Sequence, residues 1–356
     1  MYGRRKSFFW GAIASLFSIL YGIALYLRRL IFKIHVIKRK TVSCPVISIG
    51  NITLGGTGKT PAVIHLADLL LRNGIHPAII SRGYGRKNEN DVIVVSDGRS
   101  VLVDAQTGGD EPVLIASKHR GIPVVVGRKR HRAALLALQR FNPDVVVLDD
   151  GFQHIQFKRD LDIVLLDAGN PFGNGKLFPG GILREPLCAL KRAHAVLITK
   201  MDDEKAVEAL KMTVQRYTNA RIFTSRQAPF DVMDYQTNET RPLSTLRGTK
   251  VIAFSGIAQP AQFTAMLTSL GADVVTAHDF PDHFTYRKSD LASIVQKAAD
   301  EKISMIITTE KDAVRLKDLR VDGVWALRIE LQVAEHDAWK KFLLEGLGYE
   351  QGGISR

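Results

Sequence analysis

The chain has 356 residues, 46% hydrophobic and 24% charged, the composition of an ordinary globular protein with room for two domains. Its formal net charge of +13 is uneven: nine Lys or Arg fall within residues 1–40, and no acidic residue precedes Asp68. That asymmetry points to an anionic surface, nucleic acid or membrane, and the two cysteines, Cys44 and Cys188, have no paired spacing or His neighbours, so they read as buried thiols in a reducing cytoplasm and not as a metal site.

Phe8 to Leu27 is an uncharged stretch of 20 residues flanked by Arg4-Arg5-Lys6 and by Arg28-Arg29 with Lys33. It is long enough to cross a bilayer as a helix. Basic residues at both ends favour a helix lying in the interface, with Phe8, Phe9, Trp10 and Tyr21 at the acyl boundary. No small-residue cleavage site follows, which disfavours a secretory signal.

Pro45 to Ile49 reads as a buried strand and Pro61 to Leu71 as a helix; between them runs Gly50-Asn51-Ile52-Thr53-Leu54-Gly55-Gly56-Thr57-Gly58-Lys59-Thr60. A strand, a glycine-rich turn and a helix opening on Lys-Thr form a phosphate cradle. Backbone amides and the helix N-terminus face the anion, Lys59 reaches the β/γ-phosphates and the Thr60 hydroxyl can ligate Mg²⁺. Residues 53–60 (Thr53, Leu54, Gly55, Gly56, Thr57, Gly58, Lys59, Thr60) are therefore the expected nucleotide contacts, although the strict pattern asks for Gly where Thr53 stands.

An α/β rhythm follows. His76 to Ile80 reads as a strand whose carboxyl end carries Ser81-Arg82-Gly83-Tyr84-Gly85-Arg86, the edge at which open parallel sheets bind ligands. Val92–Val95 and Val101–Val103 read as a short hairpin. Gly108-Gly109-Asp110-Glu111-Pro112 opens an apolar helix, where the paired carboxylates also suit an acidic helix start. Pro123 to Val126 is a strand that leads into the basic run Gly127-Arg128-Lys129-Arg130-His131-Arg132. Asp144 to Asp150 is an apolar strand closing on two aspartates, the arrangement that phosphate-loop proteins use to hold Mg²⁺ beside the loop Thr.

Leu161 to Asp167 is a further strand, followed by a Gly/Pro-rich loop that ends in Leu183-Arg184-Glu185-Pro186, where Glu185 is a candidate Mg²⁺ or substrate ligand. Ala195 to Thr199 is a strand ending in Thr199-Lys200-Met201-Asp202, a weak likeness to guanine-recognition loops. Gln227 to Arg247 has turn composition and marks the domain boundary; beyond it strands at 250–257, 272–275 and 305–309 alternate with helices at 260–270 and 290–299. The expected fold is thus α/β: a P-loop NTPase-like parallel-sheet domain (41–235), a second, smaller α/β domain (236–356) and an N-terminal membrane-associated helix (1–40).

The phosphate loop to Pro61, Ser81-Arg82-Gly83-Tyr84-Gly85, Gly109-Asp110-Glu111-Pro112, Asp149-Asp150-Gly151-Phe152-Gln153-His154, Leu183-Arg184-Glu185-Pro186, Phe280-Pro281-Asp282-His283 and Thr309-Glu310-Lys311-Asp312 together resemble the tetraacyldisaccharide 4'-kinases, over the whole chain and with Thr53 included in the family's version of the loop. The resemblance implies transfer of the ATP γ-phosphate to the 4'-hydroxyl of a tetraacylated glucosamine disaccharide 1-phosphate, a lipid A precursor, at the cytoplasmic face of the bacterial inner membrane. By the same resemblance Asp110 is the expected base and His283 its partner from the second domain, brought together by domain closure. Asp149, Asp150 and Glu185 would hold Mg²⁺ with Thr60, and Arg82, Tyr84 and Arg128 would meet the substrate, Arg82 and Arg128 through its phosphate. No nucleic acid and no obligate protein partner is expected, since the excess charge sits beside an apolar helix without aromatic-basic interleaving. The rival reading is a membrane-associated phosphate-loop NTPase acting as a switch.

Overall fold

The computed structural model describes residues 2–34, 37–118, 120–199, 204–282, 284–316, 319 and 321–349, with side chains described from Ala14 onward except Lys33. A long helix, α1 (Tyr2–Lys33), precedes β1 (Val46–Asn51), α2 (Lys59–Arg72), β2 (Pro77–Ser81), β3 (Ile93–Asp97), a one-turn α3 (Ala105–Gly108) and α4 (Asp110–Lys118). Then come β4 (Pro123–Val126), α5 (Arg130–Phe141), β5 (Val145–Asp149), β6 (Leu161–Asp167), β7 (Ala195–Thr199), α6 (Glu204–Gln215) and β8 (Arg221–Asp234). The remainder runs β9 (Thr240–Pro242), β10 (Lys250–Ser255), α7 (Pro260–Ser269), β11 (Asp273–Asp279), α8 (Lys288–Asp300), β12 (Met305–Thr309), α9 (Glu310–Leu316), β13 (Val324–Val333) and α10 (His336–Gly346).

The strands join in one sheet of order β11-β10-β12-β13-β8-β7-β6-β1-β5-β2-β4-β3, with β9 on the side of β8. β1, β5 and β7 are buried along their whole length, because helices cover both faces of a parallel sheet and each strand is then mainly apolar, with polar residues such as Asn51, Asp149 and Thr199 at the carboxyl ends. Alternate residues feed opposite cores: Val145 and Val147 pack with Ile47 and Ile49, while Val146 and Leu148 pack with Val46 and Ile80. Every carboxyl end of β1, β2, β5, β6 and β7 therefore lies on one edge, and the phosphate loop leaves from that edge.

The strand β8 joins two parts of the sheet, a first lobe carrying β1 to β7 and a second carrying β9 to β13. Its first residues run parallel to β7 (Ala195↔Arg221 to Ile198↔Thr224), and its remainder runs antiparallel to β13 (Val333↔Ser225 to Trp325↔Asp234). The second half of β8, from Gln227, falls where the sequence reads as turn. Its burial is mixed, with Phe230 exposed and Val232 buried, so it carries no continuous apolar run. The expected hairpin at 92–103 reduces to an isolated bridge, Ser96↔Val101, because β3 takes β4 as its antiparallel partner. Residues 236–356 also part company at the end of the chain: α10 leaves the second lobe and packs Trp339, Phe342 and Leu343 into the core that holds Ile47 and Ile49. Nor are the cysteines both buried, since Cys188 is exposed and Cys44 is half-buried.

Within α1 the segment Ala14–Phe32 is long and apolar enough to cross a membrane and is only 11% buried. Leu16, Phe17, Ile19, Leu20, Ile23, Tyr26 and Leu27 are all more than half exposed. The opposite face docks on the loop after β6: Ser18 Oγ donates to Leu177 O (2.8 Å) and accepts from Gly180 N (2.8 Å), and Tyr21 Oη donates to Arg184 O (3.0 Å). The side chains of Phe8, Phe9 and Trp10 lie outside the described residues.

Candidate active site

The turn from β1 to α2 is built before any ligand arrives. Gly58 stands at the helix N-cap with φ +81°, a left-handed conformation that costs a Cβ-bearing residue, and a Cβ there would come within 2.6 Å of Gln227 Nε2. Asn51 Nδ2 donates to Thr57 Oγ1 (3.0 Å), and Thr199 Oγ1, at the end of β7, donates to Thr57 O (3.1 Å). Gly55 and Gly56 face open space, which leaves room for phosphate oxygens against the backbone. Leu54, expected as a nucleotide contact, has its amide taken by Ile182 O (2.7 Å), and Thr53 is buried in a bridge to Leu183, so these two residues anchor the loop.

The two aspartates that end β5 have opposite electrostatic characters. Asp150 is bent to φ +51°; Arg184 Nη1 donates to both its carboxylate oxygens (2.9 Å each), and Lys59 Nζ is 3.9 Å away. Burial alone would raise its pKa, but the charges of Lys59 and Arg184 outweigh that and hold it below the usual carboxylate range. Asp149 accepts from Ser81 Oγ (2.8 Å), and burial, then the charges of Glu111 and Asp150, push its pKa up to about 6. A carboxylate penalised in this way is relieved by a divalent cation. Mg²⁺ keeps most of its waters and needs only one or two carboxylates beside the triphosphate, so Asp149, Asp150 and Thr60 form a fitting donor set even though no three His, Cys, Asp or Glu side chains among the described residues converge as a closed metal cage.

Glu185 does not join that set. Its carboxylate is buried and gripped by Arg192 (Nη1 2.9 Å, Nη2 3.1 Å) and by Arg29 of α1; burial raises its pKa, and the two arginines override that to hold it below the usual range. Its neighbour Arg184 takes the position beside Asp150 instead.

Asp110 opens α4 at a cleft of about 590 Å³ whose walls include Tyr84, Leu102, Val103, Thr285 and Arg315. Arg315, from α9 in the second lobe, donates to Asp110 Oδ2 through Nε (2.9 Å) and Nη2 (2.8 Å). Next to it, Lys311 Nζ lies 3.4 Å from Glu111 and 3.9 Å from Asp282. His283, the expected partner of Asp110, lies outside the described residues, as do Lys200, Met201 and Asp202. A larger recess of about 840 Å³ is lined by Leu161, His194 and Arg221, at the amino ends of β6 to β8 and so on the edge away from the phosphate loop.

The basic residues divide by burial. Tyr84 is exposed with Arg82 over its ring (5.8 Å), and Arg82 also reaches Glu89 (3.4 Å). Arg128 is exposed at the start of α5. Arg86 is buried and holds its own loop through Glu89 O and Asp91 O. Arg130 is the one the sequence left undistinguished within its basic run: it is buried, feels the charges of Asp149 and Asp150, and its Nε has no hydrogen-bond partner among the described residues. Only burial, which a run of five polar residues does not reveal, separates it from Arg128.

A parallel sheet with a glycine-rich turn into a Lys-Thr helix, and with acids ending the adjacent parallel strand, defines a phosphate-loop nucleotide-binding protein. Residues 10–348 match the family model described as tetraacyldisaccharide-1-P 4'-kinase. The tetraacyldisaccharide 4'-kinase of Halothermothrix orenii is 40% identical over 316 residues, covering 85% of this chain and 82% of that protein. That of Syntrophus aciditrophicus is 40% identical over 344 residues, covering 94% and 92%. The crystal structure of LpxK from Aquifex aeolicus in complex with ATP superposes with a TM-score of 0.77 at 32% identity, covering 93% of this chain and 97% of that one. The chain belongs to the tetraacyldisaccharide 4'-kinase family.

Proposed function

We propose that this protein transfers the γ-phosphate of ATP to the 4'-hydroxyl of a tetraacyldisaccharide 1-phosphate, giving the 1,4'-bisphosphate precursor of lipid A. The observation that carries it is the meeting of two half-sites: Asp110 lines the cleft, and its neighbour Glu111 lies within electrostatic reach of Asp149 beside the phosphate loop. A cleft with Tyr84, Leu102 and Val103 on its walls suits a sugar ring with acyl substituents.

Lys59 and the amides of 55–60 neutralise the charge that develops on the β/γ-phosphates. Mg²⁺, held by Thr60, Asp149 and Asp150, supplies further charge neutralisation when bound. Asp110 accepts the hydroxyl proton as the sugar oxygen forms its bond to the γ-phosphorus and the bond to the β-phosphate oxygen breaks, leaving ADP. His283 orients or polarises Asp110 from the second lobe. Arg82, Tyr84 and Arg128 bind the disaccharide, the two arginines through its 1-phosphate, and Arg130 faces the phosphoryl group beside the aspartates.

A substrate with four acyl chains stays in the bilayer, so the enzyme works at its surface. The apolar exposed face of α1 and the basic residues on its flanks attach it to the cytoplasmic face of the inner membrane. Detergent-solubilised protein given labelled ATP and the disaccharide 1-phosphate is expected to label the lipid at the 4' position. Phosphate release without any labelled lipid would overturn the reading in favour of an NTPase switch.

A further inference from the structure

Behind Asp110 lies a row of polar groups that the phosphoryl-transfer scheme above does not use. Arg315 commits three nitrogens: Nε and Nη2 to Asp110 Oδ2, and Nη1 to Asp312 Oδ1 (2.9 Å) and Gly256 O (3.0 Å). Asp312 is itself fixed from several sides. It accepts from Gly256 N (3.1 Å), Tyr286 Oη (3.0 Å) and Thr309 Oγ1 (2.6 Å). Gly256 is closely hemmed in, since a Cβ would meet Tyr286 Oη at 3.0 Å and Asp312 Oδ1 at 3.1 Å and would push them by a few tenths of an ångström. Side-chain exposure falls from 18% at Asp110 through 5% at Arg315 to 0% at Asp312, so the row runs from the cleft, which Asp110 and Arg315 both line, into the second lobe.

A planar guanidinium held at both ends offers fixed donors in one plane, which a lysine ammonium on its flexible stem does not. The Nε bond and the Nη2 contact both fall on Asp110 Oδ2, which ties that edge of the carboxylate to α9. The row holds two carboxylates and one guanidinium, a net negative charge at the place where a hydroxyl proton must go. Strain-free locking of a first carboxylate by a buried second layer is how sites hold their reacting groups in register.

We propose that Arg315 is a positioning residue for the acceptor side of the reaction, setting the Asp110 carboxylate toward the sugar hydroxyl, and that Asp312 fixes Arg315 in turn. The inference rests on Asp110 being the base. A purely mechanical role for the same helix pair is represented by Lys118–Glu310, a buried ion pair between α4 and α9 that is not among the cleft-lining residues.

Steady-state kinetics on the full-length protein in detergent separate these roles. Arg315→Gln is expected to lower kcat about 100-fold while KM for ATP changes less than about threefold, with Arg315→Lys recovering part of the loss. Lys118→Met is expected to lower Tm while leaving kcat per folded molecule unchanged. The deciding measurement is a double-mutant cycle with Asp110→Asn. If Arg315 acts through Asp110, adding Arg315→Gln to Asp110→Asn costs little further activity. Independent, multiplying losses in the cycle would overturn the inference, and so would an Arg315→Gln enzyme with near-normal kcat. Near-normal kcat in Asp110→Asn alone would instead remove the base assignment beneath it. Should Arg315→Gln fail to fold, Arg315→Lys runs the same cycle, and equal losses with and without Asp110→Asn count against the proposal.

Discussion

The donor and acceptor sides of the site are assembled in different ways. The phosphate loop is made by one short stretch of chain, tied within itself by Asn51 to Thr57 and to the end of β7 by Thr199. The acceptor side depends on Asp110 meeting Arg315 and on Glu111 meeting Lys311, partners separated in sequence by 205 and 200 positions. On the proposed roles, triphosphate binding would reside within the first lobe, whereas acceptance of the phosphoryl group would require both.

The sharpest way to break that contrast is to remove one group from each side. Lys59→Ala is expected to weaken ATP binding and to lower kcat about 100- to 1,000-fold, since it removes charge from the phosphates themselves. Asp110→Asn should lower kcat about 100- to 10,000-fold with nucleotide affinity preserved, measured by titration with an ATP analogue. A parallel loss of nucleotide affinity in Asp110→Asn would erase the distinction.

A smaller effect tests the donor side without turnover. The Asp149 carboxyl titrates at about 6 in the fold, against about 3.9 in an unfolded chain. Between those values the folded state holds the extra proton, so its stability falls as pH rises through that window, and the penalty is complete above it. Metal-free Asp149→Asn should therefore melt higher than the parent protein at pH 8, with the gain vanishing near pH 4, and the parent alone should gain Tm from Mg²⁺ at pH 8. An equal gain at both pH values would show that the site is not electrostatically strained. The smallest expected change is at the helix docking: Tyr21→Phe removes the bond to Arg184 O and should cost about 1 kcal/mol, read by denaturant unfolding.

The same contrast explains what could be read from sequence. The donor side is legible because its signals are contiguous: an apolar run, three glycines, Lys59-Thr60, and then Asp149-Asp150 at the end of a second apolar run. Apart from the family resemblance, which marks it as the expected base, Asp110 stood out only as one of two acids at a helix start, a position that helix electrostatics alone would fill. Thr309-Glu310-Lys311-Asp312 was visible through the family resemblance, but Arg315 three residues on is an unremarkable polar residue until α9 is folded against α4. Glu185 shows the converse error. A Glu following a loop arginine looks like a ligand, and only the docking of α1 reveals that Arg29 and Arg192 already occupy it. The second half of β8 escaped because its half-exposed residues show no strict alternation, and the return of α10 to the first core is a tertiary placement that its own sequence pattern does not encode.

The unbroken course of β8 through both lobes limits how they can move. Separate lobes linked by a loose tether would swing apart freely, but here β8 is laddered to both, by four residue pairs with β7 and nine with β13. Relative motion of the lobes is accordingly expected to be a twist of this one strand, with α9 shifting against α4, and not the opening of a wide mouth. Amide hydrogen exchange should report it as slow exchange throughout β8 beside faster exchange where the two helices rub.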